Sequence, residues 1–199
     1  MHLLHIDSSF QGERSVSRAL SARTADRWRA AHPDGTVTYR DFHAAPLPHY
    51  TLEDGPARSA ELIDEIKRAD TLLLGLPLYN FGAPSTVKAW VDHLVLAGAS
   101  FDAETREPLL TDTEFIVLAS RGGGYAPGTP RDGWDHAEAW LPHGISLTGL
   151  EPRFITAELT LAPVTPAMAE LIPLAEQSRA AAEAEIDALW TPISAPVAA

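Results

Sequence analysis

The chain has 199 residues, of which 45% are hydrophobic and 21% charged, a balance that suits one domain with a full core and not a disordered chain. Its net charge of −12 repels phosphate backbones and anionic lipid, so neither nucleic acid nor membrane is an expected partner. There is no cysteine, which excludes disulfides, thiolate nucleophiles and cysteine metal sites; with no leader-like start and no apolar run of spanning length, a cytoplasmic protein is expected.

His2 to Asp7 is short, apolar-rich and followed by serines, and reads as a buried strand. A helix is expected from about Ser15 to His32, with Val16, Ala19 and Leu20 on one side, ending at Pro33-Asp34-Gly35. Thr36 to Asp41 alternates as a second strand does. A proline-rich loop with Pro46, Pro48 and Pro56 leads to a helix over about Ser59 to Arg68. Thr71 to Leu76 is apolar throughout, the mark of a strand covered on both faces of a parallel sheet. A helix over Ser85 to Leu96 and a strand over Phe115 to Ala119 follow, then three glycines, Gly122 to Gly124. A helical region between Asp132 and Gly149 is interrupted by Pro142. A fifth strand is expected over Arg153 to Leu159 and a last helix over Thr165 to Trp190, with Pro166 in its first turn. The tail from Thr191 is expected to fray. The reading is one domain over residues 1–190 and a flexible tail over 191–199.

Strands alternating with helices imply one open parallel sheet with helices on both faces. Such a sheet binds its ligand at the carboxyl ends of the strands. Three loops at that edge hold the unusual residues. After the first strand, Ser8 and Ser9 precede a turn that opens a helix at Ser15-Val16-Ser17. A helix start offers free N–H groups, and hydroxyls beside it complete a cradle for phosphate, with Arg14 able to add charge. Alternatively, Ser15 serves only as a helix cap. No G-x-G-x-x-G follows the strand, and neither Lys67 nor Lys88 follows a glycine, so dinucleotide and P-loop sites are not indicated. A single terminal monophosphate, as on FMN, suits the turn better.

After the third strand come Leu78-Tyr79-Asn80-Phe81. Aromatic rings pack on a flat ring system, and an amide pairs with its polar edge. The plainer reading is a turn shaped by Asn80 and Gly82. After the fourth strand, Ser120-Arg121-Gly122-Gly123 offers backbone donors at close range to stabilise negative charge on a reduced flavin. A side chain placed at Gly123 is expected to crowd that ring.

These residues resemble the FMN-dependent NADH-azoreductases, which lie near the NAD(P)H:quinone reductases, and the resemblance covers nearly the whole chain. It is carried by Ser8, Ser9, Ser15 and Ser17; by Arg40-Asp41 and Pro46-Leu47-Pro48; by Leu78 to Phe81; by Lys88, Asp92 and Gly98 to Phe101; and by Ser120 to Gly123. It implies a flavodoxin-like fold with a five-stranded parallel sheet in the order 2-1-3-4-5. It implies that FMN is bound by Ser9, Ser15, Val16, Ser17, Leu78, Tyr79, Asn80, Phe81, Ser120, Arg121, Gly122 and Gly123. It further implies NADH or NADPH as co-substrate, a quinone or azo compound as acceptor, and a homodimer in which the partner's Phe101 borders the substrate space. Val16 stands where a polar residue is common, so only its N–H can serve the cofactor. The loop from His49 to Arg58 carries Glu53 and Asp54 and is expected at the pocket mouth.

No side-chain nucleophile is expected, because the flavin carries the chemistry. His136, Glu138 and His143 flank Pro142 out of helical register and are read as solvated or capping residues, so no metal is expected. Trp90, Val91 and Leu94 are candidates for a dimer face. The leading expectation is an FMN-dependent reductase working by two-electron ping-pong transfer. The alternatives are a flavodoxin-type electron carrier, whose acidic surface would dock on basic partners, and an FMN-binding protein without turnover.

Overall fold

The computed structural model describes residues 1–190; the expected flexible tail lies outside the described residues. In chain order the elements are β1 (His2–Asp7), α1 (Val16–Ala31), β2 (Thr36–Asp41), α2 (Gly55–Lys67), β3 (Thr71–Pro77), α3 (Ser85–Leu94), β4 (Glu114–Ser120), α4 (His136–Gly144), β5 (Pro152–Ala157) and α5 (Ile172–Ala188). The strands form one parallel sheet in the order β2-β1-β3-β4-β5, the expected arrangement.

The alternation of side chains across the sheet divides the core in two. Leu4 and Ile6 of β1 face α2, α3 and α4, where Leu62, Ile63, Trp90, Leu94 and Leu141 are buried. Leu3 faces α1 and α5 and packs with Leu20, Trp28 and Ile186. β3, buried at every position, is the central strand, and its continuous apolar run follows from cover on both faces. β2 lies at the sheet edge and is exposed or half-exposed throughout, which its alternating polar sequence tolerates.

Several boundaries differ from the sequence reading. Helix α2 starts at Gly55, with Pro56 in its first turn rather than in the loop, because proline lacks only an N–H that a first turn leaves unpaired. The last helix starts at Ile172; Ala162–Val164 and Pro166–Leu171 form 3₁₀ turns ahead of it. Pro173, not Pro166, occupies its first turn. Ala19 is exposed, and the buried face of α1 is Ser17, Leu20, Ser21, Thr24, Ala25 and Trp28. Trp90, Val91 and Leu94 belong to the core of the chain itself and leave no dimer face on that side of α3.

Parallel register brings the functional loops to one edge. Asp7 pairs with Gly75, and Pro77 with Ser120. The chain therefore leaves β1, β3 and β4 at neighbouring points, and the Leu78 N–H donates to the Ser120 carbonyl at 2.8 Å.

Candidate active site

A cavity of about 390 Å³ opens at the carboxyl edge of the sheet, within the range of small-molecule sites. One end is formed by Phe10, Gln11, Arg14, Ser15 and Val16, the other by Ser120, Gly122, Thr160, Leu161 and Val164, with Leu78 and Tyr79 between.

The first end is the start of α1. Ser15 caps it, its Oγ accepting from the Arg18 N–H at 3.3 Å. Ser17 is fully buried, and its Oγ lies 3.1 Å from that of Ser15. A first helical turn leaves N–H groups such as those of Val16 and Ser17 without intrahelical acceptors and carries partial positive charge. Two hydroxyls, free N–H groups and the exposed Arg14 thus converge where a monophosphate fits. In a chain of net charge −12, that local field is what admits an anion.

The middle is a two-residue turn. Tyr79 and Gly82 exchange both backbone hydrogen bonds at 3.0 Å, while Asn80 and Phe81 have φ of 49° and 67°. Two left-handed central residues define a type I′ turn. Asparagine adopts that conformation readily; phenylalanine does so at a cost of about 1–2 kcal/mol. The Phe81 ring is held edge-on by Trp134 at 5.1 Å, and its carbonyl accepts from the His136 N–H at 2.9 Å, so surrounding packing offsets the strain. Phe10 stacks on Tyr79 at 4.4 Å.

The far end is the glycine loop. The carbonyls of Arg121, Gly122 and Gly123 accept from the N–H groups of Thr160, Leu161 and Leu159. The Arg121 N–H is taken by Ala157, whereas those of Gly122 and Gly123 find no acceptor among the described residues. The loop is fastened by its carbonyls and keeps donors in hand. Its second anchor is the Arg121 guanidinium, enclosed by Asp135 at 2.6 Å, Glu158 at 2.9 Å and Glu138. Burial pushes the Glu138 carboxyl up; Arg121 opposes that, and Asp135 and Glu158 add to it.

The profile of the flavodoxin-like fold family matches residues 1–187. An FMN-dependent NADH:quinone oxidoreductase of Frankia alni is 43% identical over 94% of this chain and 97% of its own length. One of Streptomyces coelicolor is 44% identical over 92% of this chain and 90% of its own. The chain belongs to this flavodoxin-like oxidoreductase family. An azoreductase structure from Bacillus anthracis shares the fold at a TM-score of 0.80 and 21% identity, covering 96% of this chain and 98% of its own. A second from the same species, solved in complex with FMN, does so at 0.76 and 18%, covering 96% and 100%.

For a flavodoxin-like oxidoreductase of this family, the sequence-derived site residues fall into three groups. Ser15, Val16, Leu78, Tyr79, Ser120 and Gly122 line the cavity. Ser9 and Ser17 sit just behind it, buried, with Ser9 Oγ 2.8 Å from the Tyr79 hydroxyl. Asn80 faces an adjacent hollow with Phe10, His43 and Ser85; Phe81, Arg121 and Gly123 lie outside the cavity lining, and Arg121 turns its charge to the three carboxylates.

Two further expected positions lie away from this cavity in the single chain. The loop at His49 to Arg58 packs over His93, whose Nε2 lies 3.1 Å from the Pro48 carbonyl, and it lines a separate hollow. Phe101 keeps 5% exposure under the Arg106 guanidinium. The loop after β5, which supplies Thr160, Leu161 and Val164, carries no motif, and only its position at the carboxyl edge of the sheet marks it. Among the described residues no cluster of metal-ligating side chains is present, and no helix is long and apolar enough to cross a membrane.

Proposed function

We propose that this cavity holds FMN and that the protein is an NAD(P)H-dependent reductase of quinones or azo compounds. The observation that carries the reading is one cavity with a phosphate-type helix start at one end and the unpaired Gly122 donor at the other. The donor set fits the group: hydroxyls and N–H groups for a monophosphate, an aromatic turn for a flat ring, and backbone donors for its polar edge.

The chemistry supplied when FMN is bound is two-electron hydride exchange between a nicotinamide and an acceptor. The chain's own part is to bind, orient and exclude water. Ser9, Ser15, Val16 and Ser17 take the phosphate. Leu78 and Tyr79 cover one side of the ring. Gly122 presents a fixed donor where negative charge develops, an arrangement that needs no reorganisation during reaction. Leu161 and Val164 close the end with apolar surface. With one face covered, donor and acceptor must use the same opening in turn, which gives ping-pong kinetics.

A homodimer in the cytoplasm completes the reading. Phe10 is 58% exposed, Leu161 46% and Val164 74%, all on the cavity rim. Apolar surface rimming a ligand site is what a two-fold partner covers. Light scattering at micromolar concentration is expected to report a dimer.

The test is steady-state kinetics with NADH and a benzoquinone varied together, after chromatography of the released cofactor. FMN and parallel double-reciprocal lines are expected. Intersecting lines would mean that both substrates bind at once. A failure to oxidise NADH with any acceptor would favour an electron carrier.

A further inference from the structure

Arg18 lies on α1 behind the cavity and does not line it. Its side chain is 15% exposed, and each of the three guanidinium nitrogens donates a hydrogen bond. Nε and Nη2 both donate to the Ser9 carbonyl, at 3.0 and 2.6 Å. Nη2 also donates to Asp41 Oδ1 at 2.6 Å and Nη1 to the Tyr39 hydroxyl at 3.0 Å. Asp7 Oδ2 stands 3.8 Å from Nη1.

The partners are themselves fixed. Asp41 Oδ1 accepts from the N–H groups of His43 and Ala44. Asp7, 3% exposed, accepts from Ser21 at 2.7 Å and from Tyr39 at 3.0 Å. Room for its carboxylate comes from Gly75, where a Cβ would stand 2.3 Å from Asp7 Oδ1. A charged fork on α1, held by β1 and β2, thus grips a single backbone oxygen.

That oxygen belongs to the peptide joining Ser9 to Phe10, which begins the wall of the cavity. A trans peptide is planar, with its C=O and N–H pointing in opposite directions. Seizing the Ser9 carbonyl from behind therefore turns the Phe10 N–H to the opposite side. A cation on the carbonyl also polarises the peptide and strengthens its N–H as a donor. No acceptor for the Phe10 N–H exists among the described residues.

We propose that Arg18 is a positioning residue for the phosphate of FMN, acting through the Ser9–Phe10 peptide that its forked hydrogen bonds hold against the cradle. The proposal rests on the FMN reading of the cavity. It separates Arg18 from Arg14, which lines the cavity directly and is exposed. It also gives the buried Asp7, the half-buried Asp41 and the exposed Tyr39 a common task, since each orients the fork.

The test compares FMN with riboflavin, which has the same ring and no phosphate. Full-length protein freed of flavin is titrated with each by fluorescence quenching, as wild type, Arg18→Gln and Arg18→Lys. The wild type is expected to bind FMN at least about tenfold more tightly, as a charge-assisted phosphate cradle must. Arg18→Gln is expected to lose roughly tenfold or more of that preference while its riboflavin affinity stays within about twofold, the loss of hydrogen bonds to a charged group acting on the phosphate alone. Arg18→Lys keeps the charge but cannot fork, so it is expected to lose the preference too, and it replaces Arg18→Gln should that variant fail to fold. An unchanged FMN-to-riboflavin ratio in the variants would overturn the proposal, as would equal losses for both ligands, which a merely structural role predicts. A wild-type protein that does not distinguish the two ligands would overturn the phosphate reading of the cavity itself, and the role of Arg18 with it.

Discussion

Ser9 Oγ and the Tyr79 hydroxyl lie 2.8 Å apart, tying the loop after β1 to the loop after β3. This bond spans the two parts of the cavity assigned to phosphate and ring, and the Gln11 N–H donates to the same Ser9 oxygen at 3.2 Å. Tyr79→Phe removes the link and keeps the ring that stacks on Phe10. Flavin affinity is expected to fall severalfold, matching the ~0.5–1.5 kcal/mol of one net hydrogen bond. Fluorescence titration measures it, and an unchanged affinity would show that Tyr79 acts by its ring alone.

The two glycines of the third loop are not equivalent. A Cβ at Gly122 would stand 2.7 Å from Leu161 Cδ1, whereas at Gly123 it would meet the Arg131 Nη1 at 2.9 Å. Leu161 is part of the cavity wall, while the Arg131 tip is the end of a flexible side chain. Gly122→Ala is therefore expected to push Leu161 into the flavin space and lower affinity, and Gly123→Ala to change it little. The sequence-level expectation of crowding from Gly123 shifts by one residue. Flavin content of the purified variants and their dissociation constants decide the order; equal effects would mean that both positions face the ring.

Local patterns carried the fold because burial repeats along an element. The unbroken apolar run of Thr71 to Leu76 marked a central strand, and Thr36 to Asp41 marked a half-exposed one, which proved to be the edge. Glycines and serines marked the three loops, because helix starts and close backbone approach demand those residue types. What stayed hidden depends on partners distant in sequence. Arg18 reads as a polar helix residue until Ser9, Asp41 and Tyr39 are placed around it. Nothing local announces that Phe81 takes a left-handed conformation, since Trp134 and His136 hold it there. Trp90 reads equally well as interface or core, and only the packing of α3 against the sheet decides for core.

Arg121 carries the largest electrostatic load in the site region. Its side chain is 13% exposed, Asp135 12% and Glu158 20%, so removing the cation strands two half-buried carboxylates. Arg121→Met is expected to cost about 3 kcal/mol of folding stability, read by chemical denaturation. Glu138→Gln should behave differently. Burial raises its pKa in the folded chain, so ionisation disfavours folding once the pH passes the unfolded value of 4.5, and that cost grows until the raised folded value is passed. The glutamine variant is therefore expected to match or exceed the wild type at pH 7. A large loss there would show that the Arg121–Glu138 attraction outweighs burial.

His5 gives the fold an acid limit. It sits on β1 with 5% exposure, and its Nε2 has no hydrogen-bond partner, although Asp7 Oδ2 lies 3.6 Å away. Burial lowers its pKa from 6.5; Asp7 on its own strand opposes that, Arg29 and Arg18 on α1 add to it, and Asp26 on α1 opposes it weakly. Tyr39 of β2 meets the ring edge-on at 5.0 Å, and its own hydroxyl is pushed up to about 12 by burial and by Asp7, so it stays neutral throughout. A histidine whose folded pKa lies below its unfolded value contributes full stability above pH 6.5. As the pH falls below that point the unfolded chain takes up a proton that the folded chain refuses, and stability declines until the folded pKa is passed. Wild type is thus expected to lose melting temperature between pH 7 and pH 5. His5→Phe keeps the edge-on contact and cannot take the proton, so its melting temperature should fall less over the same interval. Both proteins are to be melted in matched ionic strength, because Arg18, Arg29 and Asp26 reach His5 through charge. Parallel declines in the two proteins would assign the acid limit to other groups and remove His5 from the account.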